Sequence, residues 1–369
     1  MKTLRLMIKP ASSLCNMRCR YCFYHDVSER REVRSFGIMT EETVDAMLRQ
    51  IASEFHTGDT VEFLFQGGEP TRAGLDFFRA FVQKTAEWKG IRVSFSLQTN
   101  GLLLDAEWCA FLREHRFLVG LSFDLLREAH DTARCDSAGK GTYSRLCAAI
   151  ALLKRERVEF NVLCTLTAEV ARHPEAVWRQ IVALELSYVQ FTPCLDDAGG
   201  DSRFALTPER FASFYRALFD AWYADYLRGG RRSIKLFDDV VNLLVLGVPT
   251  LCGMDGVCRP QLVIEADGSA YPCDFYCLDS HRMGNIKESP VSALLAHASV
   301  RDFCTRRAAL PALCADCRWR AFCGGGCPRM GREVYAESGA CGYRLFLDHA
   351  GASLYRLAEQ ITRTRNIKA

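Results

Sequence analysis

Eleven of the eighteen cysteines in this 369-residue sequence fall in spacings that can hold metal. Three lie together as Cys15-x3-Cys19-x2-Cys22. Three thiolates on one short loop cannot close the shell of a structural zinc or an iron–sulfur cluster, but they hold a cubane by three corners and leave one iron open. An open iron is a place for chemistry. Eight more follow in the last third, as Cys252-x5-Cys258-x14-Cys273 and Cys314-x2-Cys317-x5-Cys323-x3-Cys327-x13-Cys341. Eight thiolates close two [4Fe–4S] clusters, and closed clusters are suited to moving electrons. One or two zinc sites are the alternative for this group, where C-x2-C pairs are common. Cys109, Cys135, Cys147, Cys164, Cys194, Cys277 and Cys304 show no pattern and read as buried bystanders, with Cys277 near enough to Cys273 in sequence to substitute as a ligand. The eight histidines show no paired metal spacing.

Composition narrows the setting. A chain this long with 49% hydrophobic residues has a full apolar core and is not a small disulfide scaffold, so clustered cysteines point to metal or catalysis in a reducing cytoplasm. Lys and Arg number 47 against 44 Asp and Glu, and a net charge of +3 marks neither a nucleic-acid binder nor a polybasic membrane protein. No run approaches the ~18 apolar residues of a membrane span. Residues 4–8, broken by Arg5 and followed by Lys9 and Pro10, read as a strand rather than a secretory signal.

The cysteine loop needs rigid supports, and the first two thirds of the chain supply them. Strands are expected over 4–8, 61–65, 92–97, 117–123, 159–165 and 188–192, alternating with helices over 41–54, 75–87, 106–114, 143–154 and 175–183. Thr40 is the expected N-cap of the first of these helices. Such βα repeats make an α/β fold with a parallel sheet, here a partial (β/α)6 TIM barrel with its chemistry at the C-terminal strand ends. A helix over 208–227 ends at Gly229 and Gly230, which places a boundary near Ser233 between domains 1–233 and 234–369. Beyond it come a helix over 237–246, a hairpin of 261–265 with 269–272, and short helices near 291–297 and 345–361. So little regular structure calls for internal staples, which closed clusters provide.

Residues 9–24 read K-P-A-S-S-L-C-N-M-R-C-R-Y-C-F-Y, and C-x3-C-x2-C with an aromatic before the third cysteine resembles the signature of the radical S-adenosylmethionine (SAM) superfamily. In that superfamily the open iron chelates SAM, and reduction of the cluster releases a 5′-deoxyadenosyl radical. Gln66-Gly67-Gly68-Glu69-Pro70, after the second strand, looks like the site for the methionine amino group, with backbone carbonyls and an acid to meet an ammonium. Residues 97–101 and Ser122 close the third and fourth strands.

The resemblance is closer still. Residues 9–24, 66–71 and 96–101, Cys252-Gly253-Met254-x-Gly256-x-Cys258, and Tyr271-Pro272-Cys273-Asp274-Phe275-Tyr276 are similar in order and spacing to the anaerobic sulfatase-maturating enzymes. The run from Cys258 to Cys341 also fits the SPASM pattern of peptide-modifying radical SAM enzymes. This resemblance implies SAM contacts from Tyr21, Gly68, Ser122, Arg134 and Leu195. It implies three [4Fe–4S] clusters: a SAM-binding one on Cys15, Cys19 and Cys22, one auxiliary on Cys252, Cys258, Cys273 and Cys327, and another on Cys314, Cys317, Cys323 and Cys341. Asp274 resembles the family's proton acceptor, and Tyr24, Gln66 and Gln98 are further candidates for the substrate side. One departure stands out: relatives carry Asp-Gly after the fourth strand, whereas Asp124 is followed here by Leu125. Leucine enters positive φ less easily than glycine, so a different loop is expected there.

The implied reaction converts an active-site Cys or Ser of a sulfatase, within a Cys/Ser-x-Pro/Ala-x-Arg segment, to Cα-formylglycine. SAM is cleaved to 5′-deoxyadenosine and methionine, and an electron donor such as flavodoxin or ferredoxin supplies the reducing electron. Open-cornered clusters are oxygen-labile, so an anaerobic setting is expected. A SPASM maturase that cross-links a ribosomally made peptide, for example through a thioether, has the same clusters. Its frequent extra N-terminal recognition domain is not expected where the first strand runs straight into the Cys15 loop. A zinc-stabilised binding protein is the third reading.

Overall fold

The computed structural model describes residues 1–196, 203–305, 310–334 and 339–368. In chain order the elements are β1 (Thr3–Ile8), α1 (Phe23–Glu29), α2 (Glu41–Glu54), β2 (Thr60–Phe65), α3 (Leu75–Ala86), β3 (Arg92–Thr99), α4 (Ala106–Glu114), β4 (Leu118–Ser122), α5 (Arg127–Ala133), α6 (Tyr143–Arg155), β5 (Phe160–Leu166), α7 (Pro174–Ala183) and β6 (Tyr188–Pro193). Then follow α8 (Pro208–Leu227), β7 (Ser233–Ile234), α9 (Lys235–Leu246), β8 (Leu262–Ile264), β9 (Ser269–Tyr271), β10 (Gly284–Asn285), α10 (Val291–Ala296), α11 (Ala298–Thr305), α12 (Arg320–Cys323), α13 (Gly331–Val334) and α14 (Gly342–Lys368). The six expected strands and their intervening helices form within a residue or two of the expected limits. Thr40 caps α2 by accepting from the Thr43 amide at 3.3 Å.

By contact the chain separates into two compact units that no single cut divides. The first comprises Met1–Ser122, Asp131–Phe160 and Pro260–Arg306. Its sheet runs β10-β9-β8-β1-β2-β3-β4, parallel from β8 to β4 and antiparallel at β8, β9 and β10. β2 alternates half-buried and buried residues, so Val61, Phe63 and Phe65 share one face. There Phe65 meets Phe78 and Phe81 of α3 at ring distances of 4.9 and 5.0 Å, and Phe95 stacks on Phe117 at 5.0 Å. This aromatic layer fixes the sheet whose far strand ends carry the site.

The hairpin expected beyond the 233 boundary proves to extend this sheet: Leu6, Met7 and Ile8 of β1 pair in parallel with Leu262, Val263 and Ile264. β8 is buried throughout, as an apolar run flanked by parallel β1 and antiparallel β9. α1, which follows the third cysteine directly, and α5 are elements that the hydrophobic periodicity did not reveal, each being only seven residues long.

The second unit comprises Phe123–His130, Asn161–Arg259 and Arg307–Ala369. It holds the parallel strands β5-β6-β7 and a helical core in which Phe237 of α9 stacks on Phe346 of α14 at 5.7 Å and meets Phe219 of α8 edge-on at 5.3 Å. A Cβ at Gly342 would lie 2.4 Å from the Pro208 carbonyl oxygen, so only glycine lets α14 start against α8, directly after Cys341. Leu125 takes φ +65° and is wholly buried, and the Leu126 amide donates to the Asp124 carbonyl at 2.7 Å. The positive φ that the sequence argued against is thus adopted by leucine, inside a tight γ-turn. Asp124 is held in turn by the Thr165 amide at 3.0 Å.

Candidate active site

In the first unit the cysteine loop spans the gap from β1 to α1. Its backbone is pinned by amides of Arg18 and Arg20, which donate to the carbonyls of Cys135 and Ala133 at 2.8 and 2.9 Å. The Cys15 sulfur accepts from the Met17 amide at 3.3 Å and from Asn100 Nδ2 at 3.9 Å, and that of Cys19 accepts from Arg134 Nη1 at 3.9 Å. Desolvation by the surrounding loop pushes the Cys15 thiol up to about 11 although the residue keeps an exposed surface, and burial raises Cys22 as well, against the opposing pull of local amides and of Arg134. Thiols so placed ionise when a metal takes the proton's place, as a resident cluster does.

Gly68 is where backbone meets backbone. Its amide donates to the Ser12 carbonyl at 2.8 Å, and a Cβ there would stand 2.4 Å from the Leu14 carbonyl oxygen. No side chain fits, so the turn after β2 lies flat on the cysteine loop. Glu69 also ties the site together. Oε1 accepts from the Thr71 amide and hydroxyl at 3.1 and 2.7 Å and from the Thr99 hydroxyl at 2.7 Å, while Oε2 accepts from the Asn100 amide at 2.7 Å. Three donors crowd Oε1 and one takes Oε2, so Glu69 is a clasp between the ends of β2 and β3 that keeps acceptor capacity on Oε2. Asn100 links that clasp to the loop by donating to Asn16 Oδ1 at 2.7 Å. Ser122 accepts from Gln98 Nε2 at 2.9 Å, and the Arg134 guanidinium lies over the Tyr21 ring at 5.4 Å. Tyr21, Gly68, Ser122 and Arg134 therefore belong with the cysteine loop in the first unit, whereas Leu195 follows β6 in the second.

Asp274 opens the turn after β9, is buried, and stands where its charge is felt at Cys22. Phe275 packs on Phe23 at 4.7 Å between ring centres, tying this turn to the end of the cysteine loop. Oδ2 of Asp274 accepts from Gln66 Nε2 at 2.7 Å, and Oδ1 accepts from the ammonium of Lys9. Lys9 has no exposed surface, and the ring of Tyr24 lies 3.9 Å from its nitrogen. Burial alone would lower its pKa; the facing Asp274, with Cys277 and Glu265 beyond, reverses this and holds it above the usual lysine range. The hydroxyl of Tyr24 donates to Glu265, which also receives Arg31 Nη1 at 2.5 Å. Tyr24, named as a candidate for the substrate side, is buried with its ring on Lys9 and its hydroxyl on Glu265. Cys277 packs among Met7, Tyr24, Val27, Val263 and Tyr271, and burial raises its thiol well above the ordinary range.

The second unit gathers seven cysteines of the later group. Desolvation by its neighbours raises the Cys252 thiol although the residue keeps an exposed surface, Cys327 and Cys258 are close enough to add to the shift, and a Cβ at Gly253 would come within 2.8 Å of the Cys327 Cβ. Burial likewise raises Cys323, with Cys341, Cys317 and Cys314 adding their charges. The sets that draw together are therefore 252, 258, 327 and 314, 317, 323, 341. Cys273, beside Asp274, lies in the first unit. Among the described residues no three His, Cys, Asp or Glu side chains converge tightly enough for a single metal ion. A cubane, with sulfide at alternate vertices, spaces its thiolates more widely than zinc does.

A loop with three thiolates beside a side-chain-free glycine turn, on the carboxyl ends of parallel strands, defines a radical SAM protein. The family models agree: residues 10–174 match the radical SAM superfamily and residues 252–318 an iron–sulfur cluster-binding domain. The chain belongs to the anaerobic sulfatase-maturating enzymes. It is 39% identical to the cysteine-type anaerobic sulfatase-maturating enzyme of Clostridium perfringens over 98% of this chain and 100% of that one. The serine-type enzyme of Bacteroides thetaiotaomicron is 27% identical over 94% of this chain and 89% of its own length. The structure called native anSMEcpe with bound AdoMet and Cp18Cys peptide superposes with a TM-score of 0.89 at 38% identity, covering 97% of this chain and 99% of that chain. The fold is accordingly the α/β radical SAM partial barrel with a cluster-binding SPASM domain. Streptococcus suis SuiB shares that fold at 17% identity and a TM-score of 0.61, over 92% of this chain and 76% of its own.

Proposed function

We propose that this protein oxidises the cysteine of a Cys-x-Pro/Ala-x-Arg segment in a sulfatase polypeptide to Cα-formylglycine. What carries the reading is the placement of Asp274, gripped by Lys9 and Gln66 and tied to the end of the three-cysteine loop. Cysteine is favoured over serine because the cysteine-type relative is the more similar.

Cys15, Cys19 and Cys22 would hold the SAM-binding cluster, with Tyr21, Gly68, Ser122, Arg134 and Leu195 around the cosubstrate. Cys252, Cys258, Cys273 and Cys327 would hold one auxiliary cluster, and Cys314, Cys317, Cys323 and Cys341 the other. When bound, these groups supply a radical that removes a Cβ hydrogen and a sink for one further electron. The chain's own work is to orient and to move a proton. Asp274 takes the thiol proton as the substrate loses its second electron, and the thioaldehyde so formed reacts with water to give the aldehyde and hydrogen sulfide. By chemistry, residues 1–233 carry the radical step and 234–369 the auxiliary clusters. No described helix is long and apolar enough to cross a membrane. The enzyme in this reading works in the cytoplasm on a newly made sulfatase, with flavodoxin or ferredoxin as donor.

Reconstituted enzyme is to be incubated anaerobically with SAM, dithionite and paired peptides carrying Cys or Ser at the target position. The expected product from the Cys peptide has lost sulfur and two hydrogens and gained one oxygen. Loss of two hydrogens alone, from a different peptide, would transfer the assignment to a cross-linking maturase.

A further inference from the structure

Lys9 takes no part in the chemistry above, yet its ammonium is wholly buried against Asp274. It leaves β1 directly after Ile8, as Gln66 leaves β2 directly after Phe65, and Ile8 and Phe65 are register partners. The two donors therefore emerge side by side and take one oxygen each of the same carboxylate. Lys9 is itself wedged. The Tyr24 ring lies behind it, the Tyr24 hydroxyl is fixed on Glu265, and Arg31 closes the array on the same carboxylate. With both oxygens gripped from neighbouring strand ends, the plane of Asp274 is set by the sheet as well as by its own turn.

We propose that Lys9 is the positioning residue for Asp274, fixing with Gln66 the direction from which the carboxylate meets the substrate's proton. The proposal rests on Asp274 being the acceptor. A merely structural lysine would affect stability and leave the coupling of radical formation to product untouched. A positioning lysine governs that coupling.

The test compares holoenzyme carrying Lys9→Met, Asp274→Asn and both changes with the unaltered protein, using SAM, dithionite and a Cys-x-Pro-x-Arg peptide. Deoxyadenosine and formylglycine are both quantified, with kcat and KM. In Lys9→Met, deoxyadenosine formation and KM are expected to stay near their original values. Formylglycine per deoxyadenosine should fall about a hundredfold, the scale on which a ~1 Å misplacement acts. An unchanged ratio in Lys9→Met beside a lowered ratio in Asp274→Asn overturns the positioning role and leaves the acceptor standing. An unchanged ratio in Asp274→Asn overturns the acceptor itself, and the proposal with it. Melting temperatures give a second readout, valid even where Lys9→Met holds its clusters poorly. Since Lys9→Met strands a buried carboxylate, the double variant should melt above it, and simple additivity of the two single losses contradicts the pairing.

Discussion

The residues with the most defined geometry are those whose polar atoms are held by several donors. Glu69 is the clearest: replacing it with Gln puts an NH2 group where only acceptors serve, leaving at least one buried donor unmatched at about 1–3 kcal/mol. Glu69→Gln is expected to lower the denaturation midpoint by that amount and to weaken SAM binding through a loosened Asn100, read by equilibrium dialysis. Gly68→Ala should act more sharply, because its Cβ collides with the Leu14 carbonyl; loss of SAM binding with retained fold is the expected result. Gly331→Ala, with open space and helical backbone, serves as the control and should be neutral or stabilising by up to about 1 kcal/mol. Residue types were largely legible in the sequence, since a three-cysteine loop, a Gly-Gly turn and Cys-Asp-Phe-Tyr are local patterns. Partners were not. Nothing local announces that Lys9 faces Asp274, or that Glu69 clasps two strand ends, because those contacts depend on which strand ends come together.

At the scale of elements, the buried pair of Arg31 and Glu265 joins the chain just after α1 to the end of β8, with neither side chain exposed. Removing one charge strands the other, so Glu265→Ala should destabilise by about 3–5 kcal/mol in urea unfolding, and Arg31→Met with Glu265→Leu by less than the single change. Leu125 gives a prediction of opposed terms. Leu125→Gly relieves about 1–2 kcal/mol of left-handed strain but empties a fully buried site worth about 2–5 kcal/mol, so net destabilisation is expected from the same measurement. Periodicity located the β1–β6 repeats because each pairs an apolar strand with an amphipathic helix. It placed the hairpin of β8 and β9 in the later domain for lack of any signal about its neighbour. A short, wholly apolar strand is compatible with any sheet edge, and only the match with β1 decides.

For the whole molecule, the cysteine count makes the sharpest demand: about twelve irons with matching sulfide per chain. Changing Cys15, Cys19 and Cys22 together to alanine should leave about eight irons, held by the auxiliary thiolates, and abolish deoxyadenosine formation. The chain-wide order of motifs made the family readable from sequence, and with it the grouping of Cys327 with Cys252 and Cys258, which spacing alone hides because Cys327 sits among the ligands of the other set. In the reaction proposed above, a radical formed at the Cys15–Cys22 loop removes hydrogen from the Cβ of a cysteine whose proton Asp274 accepts. Its most direct test is a Cys-x-Pro-x-Arg peptide deuterated at both Cβ positions, turned over anaerobically, with the released 5′-deoxyadenosine analysed by mass spectrometry. One deuterium in the deoxyadenosine for each formylglycine formed is the predicted result. Aldehyde accompanied by unlabelled deoxyadenosine would contradict it.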